Sequence, residues 1–391
     1  MLRGTLERVE GALENFRVRI LLTNFSLATR TGAELYVRDL AASLLRHGHT
    51  PIAYSPVLGE VAQEMREMSI EVFDNLDQIT TPPDFIHGQH HEETMTALLH
   101  FPCVPAVFFA HGWEEMPPRF PRVHRYVAVD QNCYHWLVKD QEIPAERVRI
   151  ILNFVDLQRF RARTPLPSKP RRALVFSNYM RDARQLQAIR EACARTNIKL
   201  DFAGIGTGHP SARPEEILGQ YDLVFAKARC ALEALAVGTA VVLCDTTGVG
   251  PMVTTDGFDY LRQYNFGIRT LRNKFHTDVL EREIARYDAM DAAAVSQKIR
   301  DTASLEKTTD KIIALYREVM AEHAANSKQD VLMEGRAAAA YVRWMAMHTK
   351  QERAALIDKY EATTTLRLSK RLARIPLLGA LARSVARTLQ F

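Results

Sequence analysis

The stretch DLVFAKARCALEALAVGTAVVLCD, residues 222–245, decides the fold. Its apolar run 222–226 has the length of a buried strand, CALEALAV continues with helical composition, Gly238 stops that helix, and TAVVLCD is a second strand-like run. Strand, helix and strand in that order build a parallel sheet with the helix on one face. Lys227 and Arg229 stand at the strand-to-helix turn, so two cations and the free N–H groups of a helix start converge at the carboxyl edge of the sheet. Open α/β sheets bind their ligands along that edge. Glu233, about one turn into the helix, is within reach of a ribose diol whose phosphates rest on the cations. The alternative is a solvated ion pair between Glu233 and one of those cations.

The same alternation extends outward. Upstream lie ALVFSN (173–178), a helical segment to about Thr196, LDFAGIG (200–206) and a short helix near Glu215 to Gln220. A proline-rich stretch, ARTPLPSKP (162–170), reads as a linker. Before it, VRILLTNFS begins a strand at Val18. Ala33 to His47 carry Leu35, Leu40, Leu44 and Leu45 largely on one helical face, ending at Gly48, and Pro51 to Tyr54 form the next strand. Further strands are expected at Asp84 to His87, Ala106 to Ala110 and Arg125 to Val129. Residues 278–320 are helical by pattern, with Ile312, Ile313, Tyr316, Val319 and Met320 in one stripe. Two successive α/β patterns in 391 residues imply two doubly wound domains facing across a cleft.

Composition narrows the function classes. An apolar fraction of 47% and a charged fraction of 25% are those of a globular protein, and no run approaches the roughly 18 apolar residues of a membrane span. Five cysteines, scattered and without a Cys-x-x-Cys pair, argue against a disulfide framework or zinc knuckle and for a reducing, cytoplasmic compartment. The N-terminal MLRGTLERVEGALENF contains Glu7, Glu10 and Glu14, unlike a secretory signal; Leu2, Leu6, Val9, Leu13 and Phe16 mark it as a docking helix. Six cations and no acid lie beyond Glu361, so the net charge of +5 belongs to the tail. The body is close to neutral, and no nucleic-acid partner is expected.

Three other segments carry candidate chemistry. In TRTGAE (29–34), Gly32 lets the backbone approach an anion at the start of a helix, although such turns also use glycine for geometry alone. HGQHHEET (87–94) superficially resembles a metal site, but it has no second ligand cluster at a recognised spacing; lining of an acceptor cleft and an ordinary polar loop are the other readings. The basic tail 366–391 has apolar stripes through Leu368, Leu372 and Ile375 and through Leu378, Leu381, Val385 and Leu389. Such a segment lies on an anionic lipid surface or packs on the protein with its arginines exposed.

Taken together, these residues resemble a GT-B glycosyltransferase of family 4. The resemblance is carried by TGAELYVRDLAASLLRHGHTPIAY (31–54), VFFAHGW (107–113), VAVDQNCYHWLVKDQEIPAERVRIILNFVDLQRF (127–160) and ALEALAVGTAVVLCD (231–245). It implies two Rossmann-like domains, a retaining mechanism, a nucleotide diphosphate sugar as co-substrate, and no bound metal or other cofactor. By it, Gly32 matches the loop beside the donor diphosphate and His111 the histidine that points at the donor sugar. Asn153 and Asp156 match a turn closing the first domain, with Phe154 in place of a glycine. Glu233 matches the second acid of a paired-glutamate motif, but the position of the first is Phe225. The cationic loop of the donor domain is replaced by SNYMRDAR (177–184), leaving Arg181 and Arg184 as candidates for the diphosphate clamp.

The expected organisation is an N-terminal helix (1–16), an acceptor domain (17–165), a donor domain (166–325) and a helical extension with the basic tail (326–391). His111, Lys227 and Arg229 are the catalytic candidates; Gly32, Arg181, Arg184, Lys227, Arg229 and Glu233 are the donor-binding ones. The expected activity is hexosyl transfer to a saccharide or lipid-linked acceptor in polysaccharide biosynthesis, at the inner face of the membrane. A nucleotide-sugar epimerase and a transferase-like binding subunit without turnover are the alternatives.

Overall fold

A computed structural model describes residues 17–112, 116–211, 213–325 and 331–361. The expected N-terminal helix and the basic tail lie outside the described residues. The first sheet contains β1 (Arg19–Thr23), β2 (Thr50–Tyr54), β3 (Glu71–Phe73), β4 (Phe85–Gln89), β5 (Ala106–Ala110), β6 (Val123–Ala128) and β7 (Val148–Ile150). Its helices are α1 (Gly32–Arg46), α2 (Glu60–Glu67), α3 (His91–His100) and the short α4 (Gln131–His135). The strand order is β3-β2-β1-β4-β5-β6-β7, and every pairing is parallel. Strands covered on both faces read as unbroken apolar runs, as AVFFA does in β5, where all five residues are buried.

HGQ of the histidine-rich segment belongs to β4 and is fully buried, so it is not a polar loop. His87 stacks on Phe109 with ring centroids 4.0 Å apart, and its Nδ1 lies 2.6 Å from the Tyr316 hydroxyl.

The second sheet contains β8 (Arg172–Phe176), β9 (Lys199–Ala203), β10 (Leu223–Ala226), β11 (Ala240–Asp245) and β12 (Gly248–Met252), in the order β12-β11-β10-β8-β9. Its helices are α5 (Ala183–Arg195), the single turn α6 (Pro214–Ile217), α7 (Ala228–Val237), α8 (Phe258–Arg262), α9 (Thr277–Ile284) and α10 (Ala289–Thr302). The edge strand β12 runs antiparallel to β11 and was not anticipated; its GVGPM lacks the apolar run that marks the central strands. Gly238 ends α7 in the left-handed region at φ 99°, and the N–H groups of Gly238 and Thr239 reach the Ala234 carbonyl at 3.2 Å.

The period of two along β10 divides its side chains between two layers. Val224 and Ala226 pack with α7 and α10, while Leu223 and Phe225 pack with α5 and α9. Phe225 is fully buried there, among Val175, Ile189 and Leu280.

Helix α11 (Leu305–Ala325), grouped with the second domain by sequence, packs against the first sheet. Tyr316 meets His87 and Phe85, Ser43 Oγ donates to Glu306 at 3.1 Å, and Arg125 pairs with Glu318 at 2.8 Å. Of the stripe read from the sequence, Ile312, Ile313, Tyr316 and Val319 belong to the buried face of this helix, while Met320 is half-buried. Helix α12 (Val331–Glu361) forms a separate unit; within it Trp344 stacks on His348 at 4.9 Å, and no described helix is long and apolar enough to cross a membrane.

Candidate active site

A cleft of about 510 Å³ lies between the two sheets, bordered by the start of α1, the start of α7 and the loops after β8 and β9. Thr31 and Gly32 present the N-terminus of α1 to it, and Lys227, Ala228, Arg229, Cys230 and Glu233 present the first turns of α7. Two helix starts therefore aim partial positive charge at one space. A Cβ added to Gly32 would meet nothing within 4 Å, so packing does not demand glycine there. Ala228 takes φ 51°, a conformation sparsely used by residues with a Cβ, and its N–H donates to the Phe266 carbonyl at 2.9 Å.

The cations of α7 are held by carboxylates. Lys227 pairs with Asp245 at the end of β11 and lies 5.3 Å from the centroid of the Tyr179 ring. Ser177 Oγ donates to Asp245 Oδ1 at 3.0 Å and accepts the N–H groups of Tyr179 and Met180 at 3.1 Å, which fixes the loop that carries Tyr179 into the cleft. Arg229 donates from Nε to Glu233 Oε1 at 2.8 Å and from Nη2 to Asp39 of α1. Asp39 also accepts from Arg38 Nη2 at 2.6 Å and Arg159 Nη1 at 3.3 Å, and Arg159 reaches Glu215 at 3.1 Å. The pair of Glu233 with Arg229, an alternative in the sequence, is thus present, and both residues also line the cleft.

Burial governs the electrostatics of this group. It pushes the Glu233 carboxyl up, against the pull of Arg229. Burial acts in the same direction on Asp39, but there Arg229, Arg38 and Arg159 overcome it and hold the carboxyl below its ordinary value. Burial disfavours the Arg229 charge, and the two carboxylates more than compensate, raising its pKa. Arg229 is a permanent cation in this setting.

His111 follows β5 and does not line this cleft. Its ring meets Tyr36 edge-on at 4.6 Å, and Tyr36 in turn lies 4.7 Å from Phe154, the ring that replaces the expected glycine. His111 Nε2 is buried without a hydrogen-bond partner. Burial first, and His90 second, push its pKa down to about 3, so the ring is neutral.

The structure brings Gly32, Lys227, Arg229 and Glu233 together and leaves Arg181 and Arg184 apart. Arg181 is exposed, and Arg184 lines a separate shallow groove with Gln187 and Glu191. Neither borders the cleft, whose other cations are Arg30 and Arg159. Phe225 faces the opposite layer, away from the cleft. Sequence reasoning missed Asp39, Arg159, Tyr179 and Asp245. The charged pair Arg38-Asp39 on the buried side of α1 was the available signal; its partners lie too far along the chain for spacing to reveal.

The comparisons with known proteins agree with this architecture. Residues 30–159 match the model of Glycosyltransferase Family 4. A glycosyltransferase from Rickettsia africae superposes with a TM-score of 0.58 at 14% identity, over 78% of this chain and 99% of that one. The Anabaena protein HepE, solved in complex with UDP and glucose, superposes with a TM-score of 0.54 at 13% identity, over 77% of this chain and 100% of that one. No curated protein sequence gives a significant match. The chain has the GT-B glycosyltransferase fold, and its residues 30–159 carry the match to Glycosyltransferase Family 4.

Proposed function

We propose that this protein is a retaining glycosyltransferase that moves a hexose from a nucleotide diphosphate sugar to a saccharide or glycolipid acceptor in polysaccharide biosynthesis. One observation carries the proposal: two helix N-termini, Lys227, Arg229 and Glu233 border one cleft between two doubly wound domains. The complex of the structurally similar HepE with UDP and glucose supports the choice of co-substrate.

In this proposal Glu233 accepts from the ribose hydroxyls. Lys227, Arg229 and the N–H groups at the starts of α1 and α7 meet the diphosphate. Departure of the nucleotide places negative charge on that diphosphate, and fixed cations and helix dipoles stabilise it without reorganising in the transition state. No metal ion is required for the step. The acceptor hydroxyl attacks from the leaving-group face and gives its proton to the departing phosphate oxygen, so no protein nucleophile takes part. His111, neutral and packed edge-on against Tyr36 outside the lining of this cleft, is given no part in the step.

Calorimetry with UDP, GDP and ADP tests the proposal. Tight binding of one of them, lost in Glu233→Ala, is the expected result; binding of none would overturn it. A mass-spectrometric screen against nucleotide sugars then identifies the donor.

A further inference from the structure

Several of the contacts that join the two sheet-bearing regions lie away from the cleft. Gln131 N–H donates to the Gln263 carbonyl at 2.9 Å, Arg262 Nη2 to the Asn153 carbonyl at 2.6 Å, and Arg269 Nε to Asn132 Oδ1 at 2.7 Å. At the cleft itself the connection is different. Asp39, from α1, reaches Arg229 on α7, and Asn178 Nδ2 donates to the Arg30 carbonyl at 3.2 Å. Asp39 is only 4% exposed and is the carboxylate on which Arg38, Arg159 and Arg229 converge. Removing its charge would take away the one carboxylate the three share and leave Arg38, Arg159 and Arg229 with Glu64, Glu215 and Glu233, respectively, so that nothing of opposite charge ties α1 to Arg229.

We propose that Asp39 is a positioning residue for the nucleotide site: acting from the first domain, it holds Arg229 against Glu233 and keeps the two domains together at the cleft. The planar guanidinium is gripped on two edges, by Glu233 of its own helix and by Asp39 across the domain boundary, which fixes its orientation. These contacts use two of its five N–H donors, leaving others for phosphate oxygens. The position of Arg229 therefore depends on the approach of α1, and nucleotide affinity is coupled to domain closure.

This inference rests on the nucleotide-binding role proposed for the cleft, and the test separates the two. Affinity for UDP, or for GDP or ADP where the wild type binds that one instead, is measured by calorimetry for the wild type, Asp39→Asn, Arg229→Gln, the double variant and Asp39→Glu, and the radius of gyration of each without nucleotide by X-ray scattering. Asp39→Asn is expected to weaken nucleotide binding by about tenfold or more, as for other broken charge pairs at a buried interface. The double variant binds no more weakly than Arg229→Gln alone, because both substitutions remove one interaction. Asp39→Glu recovers most of the affinity, and Asp39→Asn has the larger radius. Affinity within about twofold of wild type in Asp39→Asn, or effects that multiply in the double variant, would overturn the proposal. If the wild type binds no nucleotide, the functional proposal fails and scattering decides the role of Asp39: an unchanged radius in Asp39→Asn refutes it. Should Asp39→Asn not fold, Asp39→Ser replaces it under the same criteria.

Discussion

His87 and Tyr316 are separated by 229 positions in sequence and meet at 2.6 Å, tying the central strand β4 to the returning helix α11. Both side chains are fully buried, and the Tyr316 ring also packs on Phe85 at 4.5 Å. Tyr316→Phe keeps the ring and removes the hydroxyl, so His87 Nδ1 loses that partner. The expected cost is about 1–3 kcal/mol of unfolding free energy, read by urea denaturation. A variant as stable as wild type would show that this bond does not hold α11 in place.

Two histidines, His87 fully buried and His111 half-buried with its Nε2 out of solvent, make stability depend on pH. Burial lowers the pKa of His87 well below 6.5, and burial with His90 lowers that of His111 to about 3, whereas the unfolded chain titrates near 6.5. Between these values the unfolded state binds more protons, so their contribution is complete above pH 6.5 and is lost as pH falls. Each group gives a slope of about 1.4 kcal/mol per pH unit in the middle of that window. Denaturation at pH 7, 6, 5 and 4 should show the decline, and His111→Gln should reduce its slope. An equal slope in that variant would contradict the neutral state assigned to His111.

Arg181→Ala and Arg184→Ala should leave UDP affinity within about twofold of wild type, since both side chains lie off the cleft, while Lys227→Ala should lower it by about tenfold or more. A large loss in either loop variant, measured by calorimetry, would place the diphosphate nearer to 181–184 than the cleft geometry does.

Restoring the acid expected from the family pattern should fail. Phe225→Glu places a carboxylate in the layer between β10, α5 and α9, where Phe225 is fully buried. The expected loss is about 3 kcal/mol or more, with no gain in sugar-nucleotide affinity. A stable variant with altered donor selectivity would show that residue 225 reaches the cleft.

For the basic tail, the expected result is co-sedimentation with vesicles containing anionic lipid, weakening as salt rises. Removal of residues 366–391 should abolish it; equal binding by the truncated chain would refute membrane attachment through this segment.

The apolar runs of β4, β5, β10 and β11, the stop at Gly238 and the stripe on α11 were legible because short-range periodicity and helix-terminus chemistry act within a few residues. The same locality made Gly32, Lys227, Arg229 and Glu233 readable as residues at strand-to-helix turns. What the chain order could not convey was which carboxylate would meet which cation. Asp39 and Arg229 stand 190 residues apart, and only the approach of α1 to α7 brings them into contact. The orientation of Phe225 into the α5 and α9 layer, the distance of Arg184 from the cleft and the return of α11 to the first sheet were likewise settled by packing. Local patterns determine which segments become strands and helices, whereas ion pairs and core contacts are decided when those segments exclude water from one another, so their partners follow three-dimensional proximity and not sequence spacing.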